Sequence, residues 1–129
     1  MILIDTSVWI EVFKQKRPLD LPALVDLDEV VTCLPVVQEV LQGFKEERAF
    51  RIARESMISL PILDAPLELI VVEQAAQLYR AARRAGLTIR SGTDCLIAAS
   101  AIRHDVEVLH RDRDFPALAQ VSTLRQRRA

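Results

Sequence analysis

The sequence predicts an α/β domain built on a parallel sheet that helices cover on both faces. Three observations carry that reading. Short apolar runs at residues 2–4, 29–33, 58–63 and 106–109 alternate with stretches at helical spacing, the rhythm of strand–helix–strand units. The first run has no polar alternation, as suits a strand buried on both faces. It also ends abruptly in Asp5, followed by Thr6 and Ser7. An acid is thereby placed at the carboxyl end of the first strand, where open α/β sheets hold their ligands.

The chain has 129 residues, which fits one domain over residues 1–129. A chain of this size buries roughly two thirds of its unfolded surface, so it can form a core without disulfide staples. Hydrophobic residues make up 50% and charged residues 27%, the profile of an ordinary globular domain. Three glycines and 5% aromatics exclude a low-complexity chain. The net charge of −1 does not announce a nucleic-acid binder. It hides an asymmetry, however: Arg80, Arg83, Arg84, Arg90, Arg111, Arg113, Arg125, Arg127 and Arg128 all fall in the second half. They read equally well as a basic surface around an acidic pocket and as solvated helix faces. Cys33 and Cys95 lie far apart with no metal-ligand spacing. No apolar run reaches the ~18 residues of a membrane span. Asp5 and Glu11 break up any N-terminal signal. The expected location is the cytoplasm.

In chain order, residues 7–14 read as a short helix that Thr6 or Ser7 can cap. Pro22 opens a second helix reaching about Leu27, and residues 29–33 are β-branched and form the second strand. Pro35 opens a third helix over residues 35–44, with Val36, Val37, Val40, Leu41 and Phe44 on its apolar face. Glu39 stands at the edge of that stripe. Residues 45–57 continue as a charged amphipathic helix, and residues 58–63 form a third strand. A long helix covers residues 67–85, with Gly86 as its stop. Thr93 can cap the next helix, residues 94–102, which is apolar enough to be buried on most of its surface. Residues 106–109 form another strand, followed by a loop at 110–114, a turn at 115–119 and an edge strand at 121–124.

Four acids stand out by position: Asp5, Glu39, Asp94 and Asp112, with Asp114 two residues on. Parallel strand–helix–strand geometry brings strand ends and helix starts to one edge of the sheet. Clustered carboxylates raise one another's pKa values, and a divalent cation resolves the conflict. Oxygen ligands suit Mg²⁺ or Mn²⁺, which activate water in phosphodiester hydrolysis. Each acid also has a plainer role. Asp5 can cap a helix, Asp94 can complement a helix dipole, Glu39 can be a surface acid, and Asp112 and Asp114 suit turns. The functional reading rests on the joint pattern. Thr6 and Ser7 can support the site, although capping accounts for them equally well. His104 suits a helix end and His110 lies near the acids in sequence. Trp9 and Tyr79 read as core or interface residues. No GxSxG, Walker or GxGxxG motif is present.

The opening Ile-Leu-Ile-Asp-Thr-Ser-Val-Trp, the 35–44 helix with Glu39, the run Thr93-Asp94-Cys95-Leu96-Ile97-Ala98-Ala99 and the run His110-Arg111-Asp112-Arg113-Asp114-Phe115 resemble PIN-domain ribonucleases. More narrowly they resemble VapC-type toxins of toxin–antitoxin pairs. The resemblance spans nearly the whole chain. It implies an α/β/α sandwich with a central parallel sheet and a Mg²⁺- or Mn²⁺-dependent endoribonuclease. It also implies a homodimer and a VapB-type antitoxin that blocks the site in a heteromeric complex. Asp5, Glu39, Asp94 and Asp112 would be the acidic quartet. Asp5, Asp94, Asp112 and Asp114 would hold metal, supported by Thr6 and Ser7. Transfer RNA is the substrate the family suggests. His110 departs from the pattern, because the family often has a small hydroxyl there.

The competing readings are a catalytically silent PIN-like module that binds RNA or protein, and a phosphatase of the haloacid-dehalogenase type. The second needs an aspartate where this chain has Ser7. Residues 7–57 are expected to hold the groove for an antitoxin helix.

Overall fold

The computed structural model describes all 129 residues. The chain runs β1 (Ile2–Ile4), α1 (Thr6–Val12), β2 (Val30–Cys33), α2 (Leu34–Gln42), α3 (Glu47–Ile58) and β3 (Ile62–Leu63). It continues through α4 (Leu69–Arg84), α5 (Gly92–Arg103), β4 (Glu107–His110), α6 (Asp114–Ala119) and β5 (Gln126–Arg128). The sheet order is β3–β2–β1–β4–β5, and every pairing is parallel. In the register, Leu3 lies between Val31 of β2 and Val108 of β4.

β1 is the axis of the sheet. Its three residues point alternately to opposite faces, yet all three are buried. Both faces of the sheet are therefore covered. β2 is buried along its whole length as well. After β1 the chain moves to β2 on one side, and after β3 and two helices it returns to β4 on the other. This reversal opens a crevice at the carboxyl ends of β1 and β4.

α5 is the most deeply buried helix, with Cys95, Ile97, Ala98, Ala99, Ser100 and Ala101 out of solvent. Its alanines, facing Ala75 and Ala82 of α4, let the two helices pack closely, because interaxial distance follows side-chain size. Both helices end the same way. Gly86, at φ +78°, follows α4. The Leu87 N–H then bonds to the Ala82 carbonyl at 2.9 Å and the Gly86 N–H to the Arg83 carbonyl at 3.0 Å. That is a Schellman stop. Asp105, at φ +51°, plays the glycine's part after α5, with Val106 N–H on Ala101 at 2.9 Å and Asp105 N–H on Ile102 at 3.2 Å.

Several local expectations give way to the tertiary context. The helix expected from Pro22 to Leu27 is instead two 3-10 turns, Leu21–Ala23 and Leu27–Glu29. Leu21 is buried in the first, whereas Leu27 in the second is exposed, so no continuous apolar stripe forms. The apolar run 58–63 is divided: Ile58 ends α3, and only Ile62–Leu63 pairs with β2. The turn at 115–119 is the short helix α6. The edge strand lies at Gln126–Arg128, not at 121–124. Its residues are polar, and only pairing with β4 identifies them as a strand. Asp5, rather than Thr6 or Ser7, caps α1. Ser91, without a side-chain bond, sits at the cap position of α5, which starts a residue before Thr93.

Leu109→Ala, at a fully buried position of β4, is expected to cost about 2–5 kcal/mol by removing packed methyl groups. Ile52→Ala, at a residue 54% exposed, should stay within about 0.5 kcal/mol. Urea denaturation of the two variants checks the contrast.

Candidate active site

The crevice at the switch point gathers Asp5, Glu39, Asp94, Asp112 and Asp114. Asp5 follows β1 directly, and its N–H bonds to the carbonyl of Leu109 in β4 at 2.9 Å. The acid is thus fixed between the two central strands. One oxygen, Oδ2, accepts the Ser7 N–H at 3.0 Å and the Ser7 hydroxyl. The other, Oδ1, is buried with no partner. Ser7 Oγ in turn accepts the Arg111 N–H at 2.9 Å, which ties the loop after β4 to the start of α1. Asp5 thus caps α1 through one oxygen and keeps the other buried without a protein partner.

Glu39 reaches the crevice from the middle of α2. The Thr6 hydroxyl donates to its Oε1 at 3.0 Å. Thr6 and Ser7 thus each hold one acid rather than cap a helix.

Asp94 lies in the first turn of α5 and is 5% exposed. Its Oδ2 is buried without a partner. Oxygens of Asp94, Asp112 and Asp114 all lie within 4.8 Å of one another. Asp112 Oδ1 accepts the Asp114 N–H at 2.9 Å and faces the Arg90 guanidinium at 3.5 Å. The Asp114 carboxylate accepts the Arg90 N–H at 3.1 Å and the Ser91 N–H at 3.1 Å. It is 1% exposed and anchors the chain entering α5. Asp94 and Asp114 are therefore coupled through the backbone as well as through space.

His110 points away from the crevice. It is fully buried, packs on Phe115 with ring centroids 5.1 Å apart, and bonds to Gln126 at 2.6 Å. Its Nδ1 accepts the Asp112 N–H at 3.1 Å. The sequence offered no local sign of Gln126, nor of the Arg90 and Ser91 amides. The polar residues of an edge strand look like any solvated tail until the register is known.

Electrostatics follow from this crowding. Burial pushes the Asp5 carboxyl upward, partly offset by the Ser7 bonds. Burial likewise raises Glu39, against the opposing Thr6 bond. Asp94 is pushed up to about 9, first by burial, then by sharing a hydrogen bond with Asp114 and by the charges of Asp5, Asp112 and Asp114. The surroundings therefore favour the protonated form of Asp94. Burial pushes the Cys33 thiol up to about 12 and Cys95 up to about 11, so neither is a nucleophile at neutral pH.

The residues fit a hard divalent cation. Asp5 Oδ1 and Asp94 Oδ2 are buried acceptors that no protein donor satisfies, and unpaired buried carboxylate oxygens are costly. The donor set is all oxygen, as Mg²⁺ and Mn²⁺ prefer.

The raised Asp94 pKa sets a sign for stability. The fold favours the protonated acid, so its contribution is largest at or below the ordinary carboxylate range and is lost as pH rises from there toward about 9. With metal chelated, wild-type Tm should fall between pH 5 and pH 8 more than that of Asp94→Asn. Thermal melts of both proteins across that range test this. Parallel curves would contradict it.

A PIN-domain family profile matches residues 2–121. Ribonuclease VapC11 of Mycobacterium tuberculosis is 39% identical over 132 aligned residues, covering 96% of each chain. Among solved structures, VapBC-5 of Mycobacterium tuberculosis, a member of the VapBC family of toxin–antitoxin systems, superposes with a TM-score of 0.72 at 25% identity, covering 98% of this chain and 97% of the other. DNA-bound VapBC from Salmonella typhimurium gives a TM-score of 0.78 at 18% identity over 98% of this chain and 96% of the other, a likeness of fold. With its parallel sheet, its acids gathered at the switch point and this kinship across nearly its full length, the chain belongs to the PIN-domain family, among the VapC ribonucleases.

Proposed function

We propose that the protein is a Mg²⁺- or Mn²⁺-dependent endoribonuclease, the toxin of a toxin–antitoxin pair. The observation that carries this reading is the buried acidic crevice, with its two unsatisfied carboxylate oxygens, in a chain 39% identical to VapC ribonucleases. Asp5, Asp94, Asp112 and Asp114 would hold the cation. A divalent ion bound there lowers the pKa of water and stabilises the charge on a leaving oxygen.

The remaining work falls to side chains of this chain. Glu39, oriented by Thr6, holds the attacking water and accepts its proton, a task suited by a carboxylate whose pKa is raised. Ser7 keeps Asp5 Oδ2 occupied, so that Oδ1 faces the crevice. Arg90, exposed beside Asp112, with exposed Arg111 and Arg113, borders the site and holds the phosphate backbone of RNA. Binding through such contacts weakens steeply with salt.

Partner surfaces accompany the site. Trp9, Phe13, Leu21 and Leu27 line a cavity beside α1, and Ile10 and Ile52 are more than half exposed nearby. This apolar groove suits an amphipathic helix of a VapB-type antitoxin. Leu69, Ile70, Val72 and Tyr79 expose apolar surface on α4, which supports a homodimer. No helix is long and apolar enough to cross a membrane.

The test is cleavage of cellular RNA by purified protein with Mg²⁺, with Mn²⁺ and with EDTA, beside Asp5→Asn and Asp94→Asn. Asparagine still caps a helix, so Asp5→Asn should fold. Outer-shell changes at metal sites cost 10–100-fold, so loss of a ligand should lower the rate more than about 100-fold. EDTA should abolish cutting. Wild-type rates in either variant would refute the assignment.

A further inference from the structure

We infer that Gln126 and His110 act together as a positioning pair for Asp112, with the C-terminal strand fixing the tautomer of the histidine. The kinetic part of this inference rests on the nuclease reading; the structural part does not.

The argument starts from an obligatory donor. The Asp112 backbone N–H points at His110 Nδ1 from 3.1 Å. A backbone N–H can only donate, so Nδ1 must be the unprotonated nitrogen. In a neutral ring Nε2 then carries the hydrogen and needs an acceptor, since the ring is fully buried. Gln126 Oε1 supplies it at 2.6 Å. Its amide can accept through oxygen, and nothing else bonds that edge of the ring. If Gln126 is removed, the Nδ1–H form becomes competitive, and it sets a donor against the Asp112 donor.

The consequence reaches the acids. Asp112 Oδ1 takes the Asp114 N–H at 2.9 Å, and both carboxylates stand within 4.8 Å of Asp94. A shift of the Asp112 amide therefore moves two of the three clustered acids. Gln126 reaches His110 because β5 lies parallel on β4, with His110 opposite Arg128 and the last residue's N–H on the His110 carbonyl at 2.8 Å. Gln126 also lies beyond residues 2–121, which the family profile covers.

Asparagine at 110 separates the two roles. Its Oδ1 accepts from the amide two residues on and has no tautomer to be set. Gln126→Leu should lower kcat about 10-fold or more in the His110 protein, the scale of a misplaced catalytic group, with KM for RNA unchanged. In the His110→Asn background, Gln126→Leu should change neither constant. An equal loss in both backgrounds would show a merely structural glutamine and overturn the proposal. The ¹⁵N NMR spectrum reads the tautomer directly. The chain has two histidines, and His104→Gln assigns the ring signals. His110 should show Nδ1 unprotonated and Nε2 protonated in wild type, and a mixture in Gln126→Leu. An Nδ1–H ring in wild type would also overturn the proposal. If wild-type protein cuts no RNA, the nuclease reading fails separately. Mn²⁺ affinity by calorimetry then replaces kcat in the same four-protein comparison, with about 10-fold weaker binding expected for Gln126→Leu in the His110 protein alone.

Discussion

Everything in this molecule answers to one electrostatic conflict. Five carboxylates converge on one crevice, with Asp5, Asp94 and Asp114 buried and Glu39 and Asp112 partly exposed. Asp94 and Asp114 are almost fully buried, and their oxygens lie within 4.8 Å of each other and of Asp112. Like charges at that separation in a medium of reduced dielectric repel strongly. The fold accommodates them in three ways. It favours the protonated form of Asp94, it directs backbone N–H groups at Asp5, Asp112 and Asp114, and it leaves Asp5 Oδ1 and Asp94 Oδ2 buried without a protein donor. A site that were fully satisfied by its own protein would have no affinity for a metal ion.

The devices that hold the acids are short-range, but the elements that carry them are not. Asp5 is placed by a strand that is central in the sheet, and Asp94 by a helix that is nearly all core. Asp114 fixes the entry to α5 through the Arg90 and Ser91 amides, so the last acid orients the third. Ser7 bonds both Asp5 and the Arg111 amide, so the first acid is tied to the loop of the last two. The acids are therefore preorganised by one another's scaffolds. Displacing any one loop is felt at the others, which is the sense in which the crevice is a unit.

Around this rigid centre the surface is divided by chemistry. Arg90, paired with Asp112, and exposed Arg111 and Arg113 set basic side chains close to the acids in a chain whose net charge is −1. Apolar side chains stand exposed on α1 and α3 in one place and on α4 in another.

Much of this was legible in the residues themselves. The apolar run ending at Asp5, the proline-opened helix with Glu39 and the nearly all-apolar α5 each carry their period locally. The parallel sheet, the helix order and the five acids follow from them. What only the tertiary structure decided depends on long-range pairing. The apolar period that suggested a strand at 121–124 was outweighed by strand β5 at 126–128, whose polar residues qualify only by their register on β4. Asp5, not its hydroxyl neighbours, became the helix cap, because Thr6 and Ser7 were committed to Glu39 and to the Asp5 carboxylate itself. His110 read as a neighbour of the acids, and the fold turned it away from them, into the core, as a backbone anchor. Periodicity and composition determine which segments are buried. Which polar atom meets which is set by contacts between residues far apart in the chain, 104 positions in the case of Ser7 and Arg111, and no local pattern records them.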